Sequence, residues 1–209
     1  MPAPKLSFEL NQELDIEIAL EFQRNPEHAG VDFWQDRALF HHPRLRHADL
    51  AEYVHEYYRE HAIELERRQK EIAAMYRKNP AEIERLQNLF KGYAWPAGKY
   101  ICYISIFDFG PRFLSEKTFQ VFAFGDDRHI LFTIEHELLH FLFYAYCQKK
   151  FPHLFAGANT ESGPFWDLAE IFNAIVQGAK GYPDHRDSIR KLKRHWHGDV
   201  DEWIREATS

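Results

Sequence analysis

The sequence predicts a helix-dominated α+β fold, and three observations support that class. Much of the 209-residue chain consists of stretches whose apolar side chains recur with helical spacing. Two short segments, 99–107 (KYICYISIF) and 118–124 (TFQVFAF), are instead rich in β-branched and aromatic residues, as is typical of strands. Aromatic residues make up 16% of the chain, which favours a packed core over disorder. We therefore expect a small sheet with helices on both sides.

The segments before the two strands are expected to be mostly helical. Residues 13–22 fit either a helix or an alternating strand, and residues 24–46 predict short helices and loops because proline and glycine interrupt them. A long helix is expected over residues 49–78, and Asn79-Pro80 ends it. Another helix then covers residues 81–91.

Three further helices are expected after the strands. The first covers residues 128–149 and is capped by Asp126 or Asp127, whose carboxylates can accept hydrogen bonds from free backbone N–H groups. The second covers residues 164–177 and begins with a proline, which costs nothing in a first helical turn. The third covers residues 184–207 and is charged and amphipathic, as is typical of a surface helix.

The length of the chain suits one domain with a sizeable core. We expect a single domain over residues 1–209. It comprises a mostly helical N-terminal part (1–92), a core (93–180) and a C-terminal helix (181–209).

Composition and charge argue against several classes of protein. The net charge of −6 disfavours a nucleic-acid partner. The most apolar stretch, residues 130–147, contains four ionisable groups and makes a poor membrane span. The first 15 residues lack a basic segment followed by an apolar run, so no signal peptide is predicted. Two cysteines are too few for a disulfide framework, and we expect a cytoplasmic protein with reduced thiols.

The motif with the clearest chemistry is His136-Glu137-Leu138-Leu139-His140, an H-E-x-x-H sequence within an apolar helix. The two histidines stand one turn apart on one helix face, so both imidazoles can reach one metal ion. Glu137 points about 100° further round the helix, where it can act on a metal-bound water. About 0.08 such motifs are expected by chance in a chain of this composition. A metal would supply the partner that these buried polar groups need.

A catalytic zinc site of this kind needs a third protein ligand and one open position. The chain has Phe143 and Tyr146 where the metzincin extension requires Gly and His, so that arrangement is excluded. It has Phe132 where the inverted H-x-x-E-H order requires His. An acidic ligand from a downstream helix remains.

Three downstream carboxylates are candidates for the third ligand: Glu161, Asp167 and Glu170. Glu161 fits a solvated loop residue, and Asp167 is favoured in a first helical turn whether or not a metal is present. Glu170 is the leading candidate, because it lies in the mostly apolar stretch WDLAEIFNAIV, where a carboxylate needs a partner. Asp167 and Asn173, about one turn on either side of Glu170, could orient a metal-bound imidazole.

These features together resemble the gluzincin class of zinc metallopeptidases, among the H-E-x-x-H zincins. The resemblance covers roughly residues 99–178 and rests on the motif helix, an acidic residue 30 positions after His140 and two preceding strands. It implies a zincin-like sheet packed on the motif helix. It also implies zinc held by His136, His140 and Glu170, with Glu137 as the general base.

The resemblance further implies a zinc-dependent metallopeptidase that acts on a peptide or protein substrate. Such a substrate would add as a strand to an edge of the sheet, for which residues 118–124 are the candidate. Glu137 would transfer a proton from the metal-bound water to the leaving amine. A Tyr or His often stabilises the oxyanion in such sites. The sequence leaves this choice open among Tyr182, His185, His195 and His197.

Two other functions stay open. Glu137-x-x-His140 and Glu52-x-x-His55 together fit a ferritin-like di-iron carboxylate protein, although a strand-like segment separates them. A non-catalytic zinc protein that binds a partner could also keep the same ligands, since a site does not guarantee turnover.

Overall fold

A computed structural model describes residues 4–209 and shows a helix-dominated α+β fold, in which 61% of the residues are helical. The helix-dominated α+β class is therefore confirmed, and the zincin-like packing of the sheet on the motif helix stays a prediction. The helices are α1 (Gln12–Arg24), α2 (Leu39–His41), α3 (Leu50–Glu60), α4 (Ala62–Arg77), α5 (Pro80–Leu89), α6 (Asp127–Lys150), α7 (Pro152–Phe155), α8 (Pro164–Gln177), α9 (Arg186–Leu192) and α10 (Val200–Ala207). The strands are β1 (Leu6–Glu9), β2 (Glu27–His28), β3 (Val31–Asp32), β4 (Tyr100–Ser105), β5 (Arg112–Phe113) and β6 (Thr118–Phe122).

Helices α6 and α8 have almost the predicted bounds, and Asp126 and Pro164 stand where the sequence predicts that the two helices begin. Asp126 accepts a hydrogen bond from the backbone N–H of His129 (2.9 Å) and so caps α6. Pro164 opens α8. Gly178 ends α8 in the left-handed conformation (φ 67°), which costs glycine little.

Two predicted long helices are each interrupted. The expected helix over residues 49–78 is divided into α3 and α4 at His61. The His61 ring stacks on Tyr57 with 4.2 Å between centroids, and its Nδ1 lies 3.2 Å from Glu64, so side-chain contacts stabilise the break. The expected helix over residues 184–207 is divided into α9 and α10, and Gly198 lies between them at φ 91°. Residues 13–22, which also fitted a strand, belong to helix α1.

Four strands form one mixed sheet in the order β1-β4-β6-β5, in which β4 is parallel to β1 and β6 while β5 is antiparallel to β6. Strand β6 therefore lies inside the sheet, and the prediction that residues 118–124 form a free edge is wrong. Thr118 and Phe119 pair with β4 on one side and with β5 on the other. Strand β1 was not predicted, because four residues of mixed polarity carry too little pattern.

The described chain divides into two compact units, each built from separate segments. We call residues 4–80 and 98–134 the sheet unit, and residues 81–97 and 135–209 the C-terminal unit. These boundaries differ from the expected divisions at residues 92 and 180, because packing between distant segments defines the units. The single domain over residues 1–209 stays a prediction.

The sheet unit contains a largely apolar core with one buried aspartate. Ile104, Phe119 and Val121 are at most 1% exposed. Asp15 of α1 is also 1% exposed. Its carboxylate accepts hydrogen bonds from the Tyr58 hydroxyl (2.8 Å), the Ile106 N–H (3.0 Å) and the Gln120 side-chain amide (3.0 Å). The buried carboxylate is thus well supplied with donors.

The C-terminal unit contains an aromatic core around α8. The ring centroid of Phe172 lies 4.8 Å from that of Phe143, 5.1 Å from that of Trp203 and 5.8 Å from that of Phe90. Leu138 and Leu139 of α6 are fully buried. Residues 135–150 of α6 and all of α8 belong to this unit.

Two other expectations can be compared with the described residues. No helix among them is both long and apolar enough to cross a membrane. Cys102 and Cys147 are buried and carry free thiols, as expected for small residues in apolar elements.

Candidate metal centre

Two helices of the C-terminal unit bring the predicted ligands together. His136 and His140 lie one turn apart on α6, and Glu170 lies in the middle of α8. The side chains of these three residues converge so that each offers one ligand atom to a common point. The structure therefore selects Glu170 from the three candidate carboxylates as the one that meets both histidines.

The three side chains lie close together, and each oxygen of the Glu170 carboxylate faces a different imidazole. The Nε2 atoms of His136 and His140 are 3.0 Å apart. Glu170 Oε2 lies 3.2 Å from His136 Nε2, and Glu170 Oε1 lies 3.1 Å from His140 Nε2. Ligands of tetrahedral zinc, at bond lengths near 2.0–2.1 Å, are separated by about 3.3 Å. The separations between these donor atoms are thus close to those between the ligands of a zinc ion.

The cluster is largely shielded from solvent. The His140 and Glu170 side chains are 0% and 4% exposed, whereas His136 is 19% exposed. An unpaired carboxylate at such a depth would cost several kcal/mol. The partly exposed ring of His136 is the side of the cluster that solvent reaches.

The pKa shifts indicate that this site favours a negative carboxylate beside positive charge. Burial alone would raise the pKa of Glu170, but the imidazoles of His140 and His136 hold that pKa well below its usual range. Burial alone would lower the pKa of His136, but the hydrogen bond and charge of Glu170 raise it, with a further contribution from Glu137. A divalent cation would supply the same positive charge without a proton.

Gln177 sets the direction in which His136 presents its lone pair. The Gln177 Oε1 atom lies 3.0 Å from His136 Nδ1. Because an amide oxygen only accepts hydrogen bonds, the Nδ1–H donates to it, and a neutral imidazole then has its lone pair on Nε2. That lone pair faces Glu170 and His140, and a cation would satisfy all three groups. The donor set therefore fits a metal ion.

Other residues support the cluster from both helices. Asn173 donates a hydrogen bond to the backbone carbonyl of His136 (3.1 Å). Tyr144 stacks on the His140 ring with 5.6 Å between centroids, and its hydroxyl donates to the Thr160 carbonyl (3.1 Å). The Asn173 contact fixes the main chain of His136, and the Tyr144 ring covers one face of the His140 imidazole.

Asp167 and Asn173 were the residues predicted to orient a ligand imidazole, and the structure shows other contacts for both. Asp167 pairs with His185 (3.0 Å), and Asn173 contacts main chain, so Gln177 has this position instead. Gln177 is seven residues after Glu170, which places the two on one face two turns apart. The seven-residue spacing from Glu170 could have pointed to Gln177. The position of Gln177 at the end of α8 made it look like an ordinary polar helix end.

Glu137, the predicted general base, is buried beside the cluster. It directly follows His136 on α6 and is 4% exposed. Its charge is one of the smaller contributions that raise the pKa of His136. It is not one of the three groups whose ligand atoms converge. Glu137 is thus placed near the cluster without belonging to it.

The remaining candidates lie in other surroundings. Glu161 is exposed in the loop before α8. His185 pairs with Asp167, and His195 lies 3.7 Å from Glu206. Tyr182 is half-buried and His197 is exposed, and the choice of an oxyanion-stabilising residue stays open.

The second E-x-x-H motif does not form a buried metal site. Glu52 is exposed on α3, and the His55 side chain is 50% exposed and lies 3.4 Å from Glu13. A di-iron carboxylate centre needs such residues to project into the interior. Among the described residues, the cluster of His136, His140 and Glu170 is the group that could hold a metal ion.

Comparisons with protein-family models, with curated proteins and with solved structures found no match to this chain. Its function is therefore argued from the site itself.

Proposed function

We propose that this protein is a zinc-dependent metallohydrolase that cleaves peptide bonds. The observation that carries the proposal is the buried cluster of His136, His140 and Glu170, in which each imidazole Nε2 lies 3.0 Å from the other and 3.1–3.2 Å from a Glu170 oxygen. Two imidazoles and a carboxylate, with no thiolate, are the donor set of catalytic zinc sites. Three protein ligands leave a fourth tetrahedral position for water or substrate.

The chemistry of such a site divides between the metal and Glu137. Zinc held by the three ligands would supply Lewis acidity toward a water molecule and a substrate carbonyl. Glu137 accepts a proton from the water as its oxygen bonds to the carbonyl carbon. It returns that proton to the amide nitrogen as the C–N bond breaks. The proton balance closes, and no other co-reactant is needed.

The class of substrate and the cellular location are part of the same proposal. Peptides or proteins are the substrates. The protein has a small zincin-like fold, and the E-H-E-L-L-H sequence supports both parts of this proposal. The protein acts in the cytoplasm, for which the two buried free cysteines are the support. No nucleic acid or membrane takes part, in keeping with the net charge of −6.

Metal analysis of protein purified without chelators tests the ligands. Wild type should contain one equivalent of zinc, whereas His136→Ala and Glu170→Ala should lose most of it. Glu161→Ala removes an exposed carboxylate close in sequence and should keep the metal. Equal zinc in wild type and Glu170→Ala would refute the third ligand, and a metal-free wild type would refute the site.

Hydrolysis of an unfolded protein, such as casein, and of a peptide mixture tests the reaction. Glu137→Gln should retain zinc and lose at least about 100-fold in rate, because it removes the general base. Zinc without hydrolysis in the wild type would instead indicate the non-catalytic zinc protein. Stoichiometric iron would indicate a carboxylate-bridged iron site.

A further inference from the structure

Helix α8 presents two functional groups on one face toward α6. Glu170 and Gln177 are seven residues apart, which is close to two full turns, or about 10 Å along the axis. Both contact the same residue, since Glu170 Oε2 lies 3.2 Å from Nε2 of His136 and Gln177 Oε1 lies 3.0 Å from its Nδ1. The imidazole of His136 thus lies between two side chains of α8.

The main chain of His136 is held by the same helix. The Asn173 side chain, fully buried, donates to the His136 carbonyl at 3.1 Å. Asn173 lies between Glu170 and Gln177 in sequence, so three successive contacts from α8 fix both the backbone and the ring of this residue. The ring can therefore neither turn about its axis nor exchange its nitrogens without losing a hydrogen bond.

We propose that Gln177 is the positioning residue of the metal centre, and that it keeps His136 in the tautomer whose Nε2 binds the metal. This inference rests on the metal site of the proposed function. Because the side chain is a neutral amide, it orients the imidazole without adding negative charge. A divalent metal with two neutral imidazoles and one carboxylate then keeps a net charge of +1. A carboxylate at position 177 would reduce this charge to zero and weaken the Lewis acidity of the metal.

Zinc affinity, measured by competition with a chromophoric chelator, tests the role of Gln177. Gln177→Leu has a similar size but no acceptor, and it should weaken zinc binding by about 10- to 100-fold. Gln177→Glu restores an acceptor and should bind zinc at least as tightly as wild type. Gln148→Leu makes the same change at an exposed position of α6 and should leave the affinity unchanged.

The tautomer of the His136 imidazole distinguishes a positioning role of Gln177 from a role in packing alone, because a packing role would not fix which ring nitrogen carries the proton. In long-range ¹H–¹⁵N spectra of the zinc-loaded protein, His136 should carry its proton on Nδ1 in wild type and in Gln177→Glu. A His136 proton on Nε2 in wild type would overturn the proposal even if Gln177→Leu fails to fold. Equal zinc affinity of wild type and a folded Gln177→Leu would also overturn it. A wild type that binds no zinc would instead refute the proposed function.

Discussion

The side chains of the metal centre illustrate how the cost of burial restricts what a polar residue can do. Glu170 and His140 are almost inaccessible to water, so each needs a partner within the protein or a bound ion. Their contacts with His136 supply part of this need. A carboxylate shared by two imidazoles is far more consistent with a cation site than with a core packed for stability alone.

Asp15 is a second buried carboxylate, and it leads to a prediction about pH. Burial raises the pKa of Asp15 to about 6, although hydrogen bonds from Ser105, Ile106, Tyr58 and Gln120 each lower it. The folded protein therefore holds this proton more tightly than the unfolded chain does. The contribution of Asp15 to the free energy of unfolding should be greatest below about pH 4 and should fall by roughly 3 kcal/mol as the pH rises to just above 6.

Urea denaturation of the metal-free protein between pH 4 and pH 7 measures this effect. Asp15→Asn cannot ionise, so the difference between its unfolding free energy and that of wild type should change across this range. Asp36→Asn alters an exposed aspartate of the same unit and should follow the wild-type profile. Parallel profiles of wild type and Asp15→Asn would contradict the prediction.

At the scale of the element, α8 owes its position to signals at its two ends. Pro164 starts the helix and Gly178 stops it, so the 14-residue helix that begins with Pro164 presents Glu170, Asn173 and Gln177 to α6. The helix is followed by a second tight turn, in which Gly181 has φ 63°. Two glycines with positive φ, Gly178 and Gly181, thus follow α8, and they differ in how closely other atoms surround them.

These two glycines form a matched pair of tests. At Gly178 a Cβ atom would meet no neighbour within 4 Å, so Gly178→Ala should cost only backbone strain, about 1 kcal/mol. At Gly181 a Cβ would collide with Ile189 and lie 3.2 Å from the Ala174 Cβ, so Gly181→Ala should cost about 3 kcal/mol. Chemical denaturation of both variants measures the difference. Equal losses would show that the turn adjusts freely.

At the scale of the whole molecule, every residue of the metal centre belongs to the C-terminal unit. The ligands come from α6 and α8, so a metal ion would link two helices that are 30 residues apart in the chain at His140 and Glu170. Such a link stabilises the folded state, because the unfolded chain does not preserve the site.

Zinc should therefore stabilise the C-terminal unit. At free zinc 100 to 1,000 times above the dissociation constant, the free energy of unfolding should rise by about 3–4 kcal/mol. Hydrogen exchange should show the added protection in peptides from residues 135–150 and 164–178. Zinc should have no such effect on His140→Ala, and unchanged protection in the wild type would contradict the prediction.

The features that depend on neighbouring residues in the sequence could be predicted from the sequence. The bounds of α6 and α8 follow from their capping residues and apolar content. Long-range features were harder to predict. Strand β1 and the interior position of β6 depend on pairing with distant strands, and the break at His61 depends on contacts with Tyr57 and Glu64.

The sequence by itself determined that His136 and His140 share one helix face with Glu137 beside them, because the spacing of an α-helix sets these directions locally. Only the tertiary structure decided that Glu170, and neither Asp167 nor Glu161, meets the two imidazoles, and that Gln177 orients one of them. The physical reason is that the ligand choice depends on how α8 packs against α6. That packing is decided by the buried aromatic core of the C-terminal unit rather than by any local pattern.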